Sequence, residues 1–500
     1  FLGFKVAKGL DAKRAKCAKS SKFDFETNPR NLCREYMKIP SRITEKNLLL
    51  IELNEVNLEL AKNYVDRLGL KTFSKILGSS ESETQLKKTT SEAEYANLEP
   101  WIQWPSVHTG KNATEHGVFR LGDMVGKSTP QFFEQVEAMG YSVGAISAMN
   151  VENRILKPKY FIPDPWTSTP TDGSWWSHRI GNAISQAVND NAQSRLSFSS
   201  MASLILGLVR FSQPKHYGLY IKLALGSKGK SWRKALFLDL FLHDLHFCWL
   251  RSYKPNFSTV FFNAGAHIQH HYFFNARYAV TTNLENPDWY VKAEDDPFAE
   301  MLQVYDKMLE DYLDSKDANV IIATGLTQVH YDRMKFYWRL RNHGEFLDLL
   351  GIKFLRVLPR MTRDFLIEFE TEGDSLAAEG VLRGVLVRRG EGNLEGSHMQ
   401  NEQSWEPTRL FDEIDNRGKS LFVTLTWSDN FPENMVVVHV NGILKLKPHI
   451  VFVAIKNGMH AGHGYAYYQG EIEKFAPPDG AHVKEIYGVV MGYFKSKLIY

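Results

Sequence analysis

The chain has 500 residues, 43% of them hydrophobic and 23% charged, and its formal net charge is +3. Length and hydrophobic content exclude a disordered chain and indicate a large packed interior, in one large domain or two to three ordinary ones. The small net charge excludes nucleic acid as the expected partner. Basic residues concentrate in "FKVAKGLDAKRAKCAKSSK", so segment 1–45 is interpreted as a solvated N-terminal extension.

Buried strands alternate with helices from residue 46 onward. "NLLLIELNEV" (47–56) is almost continuously apolar, as a strand covered on both faces requires, and residues 58–78 have helical spacing. Three further strands are predicted, at "GYSVGAISA" (140–148), "FSTVFFNAG" (257–265) and "DANVIIATG" (317–325). The pattern predicts an α/β fold with three layers, α/β/α, and a mostly parallel central sheet over residues 46–340.

Two regions depart from this alternation. Residues 165–255 are polar, then helical and basic, and are interpreted as an insertion packed over the sheet. Residues 341–500 are predicted to be β-rich, with a C-terminal part that completes the core and an exposed loop at 388–403. "SLILGLVRF" (203–211) is too short for a transmembrane span, and none is predicted, so it is read as a core or interfacial helix.

The chain has three cysteines, Cys17, Cys33 and Cys248, and none forms a CxxC pair. Three cysteines cannot build a disulfide framework. Together with the lack of a visible signal peptide, this favours a cytoplasmic location.

Polar residues gather where the predicted strands end, and ligands of open α/β sheets bind outside these carboxyl ends. The first strand ends in Glu52, Asn54 and Glu55, and the third ends in Asn263 followed by "HIQHH". On a helix, His267, His270 and His271 would share one face and could bind zinc or a similar metal. The alternative is a set of buried histidines hydrogen-bonded to their neighbours.

Two other histidine-bearing stretches carry weaker signals. "NGMHAGHGYAYY" (457–468) places His460 and His463 among glycines, which by itself is typical of a glycine-rich surface loop. "TGKNATEHGV" (109–118) contains His116, which is expected to hold the loop after a helix by hydrogen bonds.

Together these stretches resemble the alkaline phosphatase superfamily, especially its type I phosphodiesterase/nucleotide pyrophosphatase and sulfatase-like branches. "TGKNATEHGV" is similar to the family's "TG…HG" element, and "NAGAHIQHH" has the spacing of its "D-x-x-G-H" metal motif. "NVIIATGLTQ" has the strand context of the family's "SDHG", and "GMHAGHGY" resembles its final histidine loop. The resemblance implies an alkaline-phosphatase-like fold and metal-dependent ester hydrolysis.

The sequence departs from the family at the residues that carry its chemistry. Asn54 and Asn263 stand where metal-binding aspartates belong, and Gly325 and Leu326 replace the "DH" pair. The nucleophile position falls on Pro100 or, with a deletion of one helical turn, on Gln103, so Ser106 and Thr109 are the nearest hydroxyls. A full two-metal site is therefore not expected, because Asn is a weak ligand and Leu none. One divalent metal, zinc foremost, could still bind through His267, His271 and His460 or His463, with Glu52 or Glu55 as the carboxylate.

Three hypotheses follow. The first is a single-metal hydrolase of small-molecule or glycan-type phosphate or sulfate esters, with water, Ser106 or Thr109 as nucleophile and Glu55 or a histidine as general base. The second is a catalytically inactive member that binds a polar ligand or partner in the old cleft through Asn54, Gln103, Asn263 and the histidines. The third is a transferase on a similar scaffold, which the lack of a glycine-rich phosphate loop disfavours.

Overall fold

The structure is a computed structural model, and it describes residues 47–78, 85–189, 197–279, 282–314, 319–360, 363–389, 407–431, 434–439 and 442–498. All of them belong to one compact unit, Arg42–Tyr500. The predicted basic segment 1–45 and nearly all of the predicted loop 388–403 lie outside the described residues.

The described strands are, in chain order, β1 (Leu48–Leu53), β2 (Leu86–Thr90), β3 (Val143–Ile146), β4 (Tyr160–Ile162), β5 (Phe257–Phe262), β6 (Asn319–Ala323), β7 (Thr327–Leu340), β8 (Arg356–Pro359), β9 (Asp364–Glu368), β10 (Leu386–Arg389), β11 (Thr408–Arg409), β12 (Glu413–Asn416), β13 (Ser420–Thr424), β14 (Met435–His439), β15 (Gly442–Lys445), β16 (Ile450–Ala461), β17 (His463–Gln469) and β18 (Ala481–His482). The described α-helices are α1 (Leu58–Leu68), α2 (Lys71–Leu77), α3 (Pro100–Thr109), α4 (Ala113–His116), α5 (Phe132–Ala138), α6 (Trp175–Asn189), α7 (Phe198–Phe211), α8 (Tyr217–Leu225), α9 (Trp232–Tyr253), α10 (Ala264–Tyr272), α11 (Pro297–Leu313), α12 (His343–Leu349), α13 (Glu372–Arg383) and α14 (Glu485–Lys497).

Within the described part of the chain, the largest sheet has eight strands in the order β18-β2-β17-β6-β1-β5-β3-β4. β1 lies at its centre and pairs in parallel with β5 and β6. β17 runs antiparallel to both of its neighbours, β2 and β6. The predicted α/β class with a mostly parallel central sheet is therefore confirmed.

Both faces of this sheet are covered, because β1 carries apolar side chains on each. Leu49 and Ile51 pack into one apolar core with residues of α1, α9 and α11. Leu48 and Leu50 pack into a second core with residues of α3, α5 and α14. The three layers follow from this double-sided burial.

A long two-stranded ribbon of β7 and β16 leads away from the central sheet. Beyond it, the small sheets β12-β13-β9-β8 and β11-β10-β14-β15 share a separate apolar core with α12 and α13. The chain returns through β16 and β17 to the central sheet, and α6 to α9 occupy the region predicted as a helical insertion.

One expectation needs correction. The helix predicted over 58–78 is two helices, because Gly69 takes a left-handed conformation (φ 64°) that caps α1 through a backbone bond to Val65. In the parts of the chain that the structure describes, no helix has both the length and the apolarity needed to cross a bilayer.

Candidate functional site

The site begins at the turn after β1. The strand ends at Leu53, and Glu55 has φ 60°, a left-handed conformation that is uncommon for residues other than glycine. Asn54 N donates to Phe262 O and Glu55 N to Thr324 O, both at 3.0 Å, so the two neighbouring strands hold the turn. The alternation of a strand would send residues 54 and 55 to opposite faces, but after this turn Asn54 Nδ2 lies 3.3 Å from Glu55 Oε1.

Helix α10 is fixed against this turn by buried hydrogen bonds. Asp239, on α9, accepts from Ala264 N at 2.7 Å at the start of the helix. Gln269 donates through Nε2 to Glu55 O at 2.9 Å and accepts from Asn57 N at 3.0 Å. The helix therefore presents His270, the residue after Gln269, to the side chain of Glu55.

The segments that carry His270 and His460 meet over the tip of β1. Glu55 Oε2 lies 3.0 Å from His270 Nε2 and 3.2 Å from His460 Nε2. The two Nε2 atoms are 3.3 Å apart. Among the described residues, this is one of two groups whose ligand atoms all lie within 4.8 Å of one another. We call Glu55, His270 and His460 the Glu-His-His cluster.

Burial and charge act in opposite directions within this cluster. Burial acts to raise the pKa of Glu55, but His460 and His270 outweigh it and hold that pKa well below its ordinary range. Burial acts to lower the pKa of His460, but Glu55 and then Glu99 raise it to about 8. Burial lowers the pKa of His270. Without a metal, the cluster at neutral pH is thus a carboxylate, one imidazolium and one neutral imidazole.

Glu99 lies at the edge of the cluster, just before α3 begins. Its Oε2 is 3.6 Å from His460 Nδ1, and its side chain is 31% exposed. Burial raises the pKa of Glu99 to about 7, and Glu55 adds to this effect. A partly exposed carboxyl group with a pKa of about 7 is suited to accept or donate a proton at neutral pH.

The amides predicted to bind substrate are bonded within the protein. Asn54 Nδ2 donates to Asn263 Oδ1 at 2.8 Å, and Asn54 Oδ1 accepts from Trp104 Nε1 at 2.8 Å. Gln103 is buried and donates to Asn97 O at 3.0 Å, while its Oε1 has no hydrogen bond. Asn54 therefore serves to position the turn.

The predicted nucleophiles face the protein interior. Ser106 Oγ donates to Ile102 O at 3.2 Å and lies 3.1 Å from His116 Nε2. Thr109 Oγ1 donates to Pro105 O at 2.7 Å, and both residues are buried. His116 also accepts from Val118 N at 3.0 Å, in keeping with its expected structural role.

The structure does not bring the other predicted ligands into the Glu-His-His cluster. Glu52, which precedes the end of the strand, contacts His108 and Thr259 at 3.0 Å each. His267 and His271 lie on the same helix as His270, with ring centroids 5.0 Å apart. His463 lies 3.3 Å from Thr327 Oγ1.

The sequence does not predict Glu99 as a site residue, and of the three helical histidines that could bind zinc it assigns His267 and His271, not His270, as ligands. His270 belongs to the "HIQHH" stretch, but helical spacing alone does not tell which of its three histidines faces the strand end. Glu99 gave a weaker signal, an acid directly before the proline that opens a helix.

No protein-family model matches the sequence, and no curated protein matches it. Solved structures that match this chain include phosphonoacetate hydrolase from Sinorhizobium meliloti, at 10% identity, 89% coverage of this chain, 95% of that chain and a TM-score of 0.40. A murine ectonucleotide pyrophosphatase/phosphodiesterase has 11% identity, 90% and 95% coverage and a TM-score of 0.34. An alkaline phosphatase from the Antarctic bacterium TAB5 has 10% identity, 90% and 98% coverage and a TM-score of 0.32.

Proposed function

We propose that the protein hydrolyses phosphate or sulfate esters, phosphodiesters foremost, with one divalent metal ion held by Glu55, His270 and His460. The observation that carries the proposal is the triangle of Glu55 Oε2 and the two Nε2 atoms, with sides of 3.0, 3.2 and 3.3 Å. Its position at the carboxyl end of β1 agrees with the resemblance to the alkaline phosphatase superfamily.

The triangle fits zinc. Ligands about 2.0–2.1 Å from a tetrahedral zinc ion lie roughly 3.3–3.4 Å from one another, so shifts of a few tenths of an ångström suffice. Two histidines and one glutamate are a ligand set of catalytic zinc sites, which keep a fourth position for water or substrate. A bound zinc ion supplies Lewis-acid chemistry and makes water nucleophilic at neutral pH. This agrees with the inward-facing hydroxyls of Ser106 and Thr109.

Cationic side chains beside the cluster favour an anionic substrate. Lys456 and Lys335 are cross-strand partners on the β7–β16 ribbon. Burial, then Lys335 and Arg363, lower the pKa of Lys456 to about 8, and Lys456 interacts electrostatically with Glu99. Lys456, with Lys335 and Arg363 near it, would attract a phosphate or sulfate group to the cluster.

We assign proton transfer to Glu99. Glu55 is held in its ionised form, so it is a ligand, whereas Glu99 titrates near neutral pH. Glu99 also faces Nδ1 of His460 and can orient that ring while Nε2 ligates.

The second candidate is a catalytically inactive member that binds a polar ligand or partner at the same site. It is favoured by the closed hydrogen bonding of Asn54 and by the short contacts within the cluster, which an imidazolium satisfies without a metal.

Metal content and turnover separate the two candidates. The full chain is dialysed against a chelator, reloaded with zinc or manganese, and assayed on chromogenic phosphomonoesters, phosphodiesters and sulfate esters. We expect phosphodiester hydrolysis that disappears on chelation and returns with metal, while circular dichroism shows that the fold persists. A folded chain that takes up no stoichiometric metal and turns over none of the esters would establish the inactive alternative.

Glu99→Gln tests the proton-transfer role. As pH rises through about 7, Glu99 becomes a carboxylate, so wild-type kcat should rise over this range. The variant should lose about 100-fold in kcat and show a weaker rise of kcat over this pH range, with its metal retained. Glu94→Gln, an exposed acid nearby, is the matched control and should keep the wild-type profile. Wild-type kcat in Glu99→Gln would exclude Glu99 as the base.

A further inference from the structure

Helices α7 and α8 of the inserted region expose an unusual set of large apolar side chains. On α7 they are Phe198 (87% exposed), Met201, Ile205, Leu206 and Val209 (75%), and on α8 they are Tyr217, Ile221 and Leu225 (81%). Residues 198, 201, 205 and 209 share one face of α7, and 217, 221 and 225 share one face of α8. We call these side chains the apolar face.

The opposite face of α7 packs inward against the core. Its buried residues are Ser203, Gly207 and Phe211, which recur at intervals of four. A Cβ on Gly207 would lie 2.8 Å from the Phe241 ring of α9, so the helix lies close to the core on this side. The exposed face of α7 therefore carries large apolar side chains where an ordinary surface helix carries polar ones.

The charges of this segment indicate what covers the apolar face. Residues 197–238 contain no Asp or Glu, whereas Arg210, Lys215, Lys222, Lys228, Lys230, Arg233 and Lys234 are all cationic. Four of these cations have acidic partners elsewhere in the described chain: Lys215 pairs with Asp311, Lys222 and Arg233 pair with Glu300, and Lys230 pairs with Asp295. Lys228 and Lys234 are exposed. An apolar face within a basic segment is the pattern of helices that lie in the surface of an anionic membrane.

We propose that α7 and α8 dock the protein on an anionic phospholipid bilayer, with the apolar face inserted at the level of the headgroups. A second copy of the chain is a poorer occupant, because a symmetric interface would bring two segments free of acidic residues together. The basic segment 1–45 is disfavoured by the same repulsion.

Vesicle flotation of the full chain tests this proposal. We expect flotation with vesicles of phosphatidylcholine and phosphatidylserine, weaker flotation with phosphatidylcholine alone, and weakening by salt. Val209→Ser/Leu225→Ser should lower partitioning at least about tenfold, since two exposed apolar anchors are lost. Lys228→Gln/Lys234→Gln should reduce binding to the anionic vesicles selectively.

Leu376→Ser is the matched control, because Leu376 is 63% exposed on α13, outside the apolar face. It should float as the wild type does. Failure of the full chain to float with anionic vesicles would overturn the proposal, as would wild-type flotation of Val209→Ser/Leu225→Ser. A dimer that forms without lipid and is dissociated by the same double variant would assign the apolar face to a second copy.

Discussion

Replacing His460 with Ala is expected to remove the metal ion of the Glu-His-His cluster and to lower ester hydrolysis at least about 100-fold, because loss of a partner that merely orients a ligand already costs 10- to 100-fold. His460 supplies one of three ligand atoms, and its Nε2 lies 3.2 Å from Glu55 Oε2. Without it, Glu55 and His270 leave two positions to water. Elemental analysis and kcat/KM on the same preparations measure both effects.

The control is His463→Ala, three residues further on. His463 contacts Thr327 and lies outside the cluster, so this variant should keep its metal and its activity. Glu55→Gln is a second, nearly isosteric test, and it should also lose the metal because a neutral amide is a weaker ligand than a carboxylate. Full metal content and activity in His460→Ala would exclude the proposed metal centre. If only His463→Ala lost its metal and its activity, the ligand would be His463 instead of His460.

Gly458→Ala is expected to destabilise the fold by about 1–3 kcal/mol and to weaken the metal centre as well. A Cβ at residue 458 would lie 2.6 Å from Gln269 O, a backbone atom of α10, and closer still to the side chain of Gln328. Helix α10 would have to move away from β16, and this movement would displace His270 from His460. Urea denaturation measures the first effect and zinc titration the second.

The matched control is Gly488→Ala, since Gly488 lies exposed on α14 and an added Cβ there meets no atom within 4 Å. A glycine within a helix costs roughly 0.5–1 kcal/mol relative to alanine, so this variant should be slightly more stable than the wild type. If Gly458→Ala were as stable as the wild type and bound zinc equally well, β16 and α10 would not need this close approach.

The central layer could be predicted because the information for it is local. "NLLLIELNEV" is apolar at successive positions, and a segment of this kind is stable only as a strand covered on both faces, as β1 is. The helical spacing of apolar residues predicts α1 but not the residue at which it ends. A single left-handed glycine, Gly69, ends the helix and hardly changes the periodic pattern. The sequence also shows which polar residues follow the predicted strands, and it therefore predicts Glu55 and "HIQHH" as candidate site residues.

By itself, the sequence determined which segments are buried, which layer they join and that the site is poor in acidic ligands. The tertiary structure decided which side chains meet. His270 and His460 are 190 positions apart and come within 3.3 Å only because β16 packs against α10. Glu55 joins them because the chain leaves strand geometry at residue 54, whereas Glu52 stays within the strand and contacts His108. Side-chain direction depends on long-range packing and on single backbone angles, and neither is encoded in local periodicity.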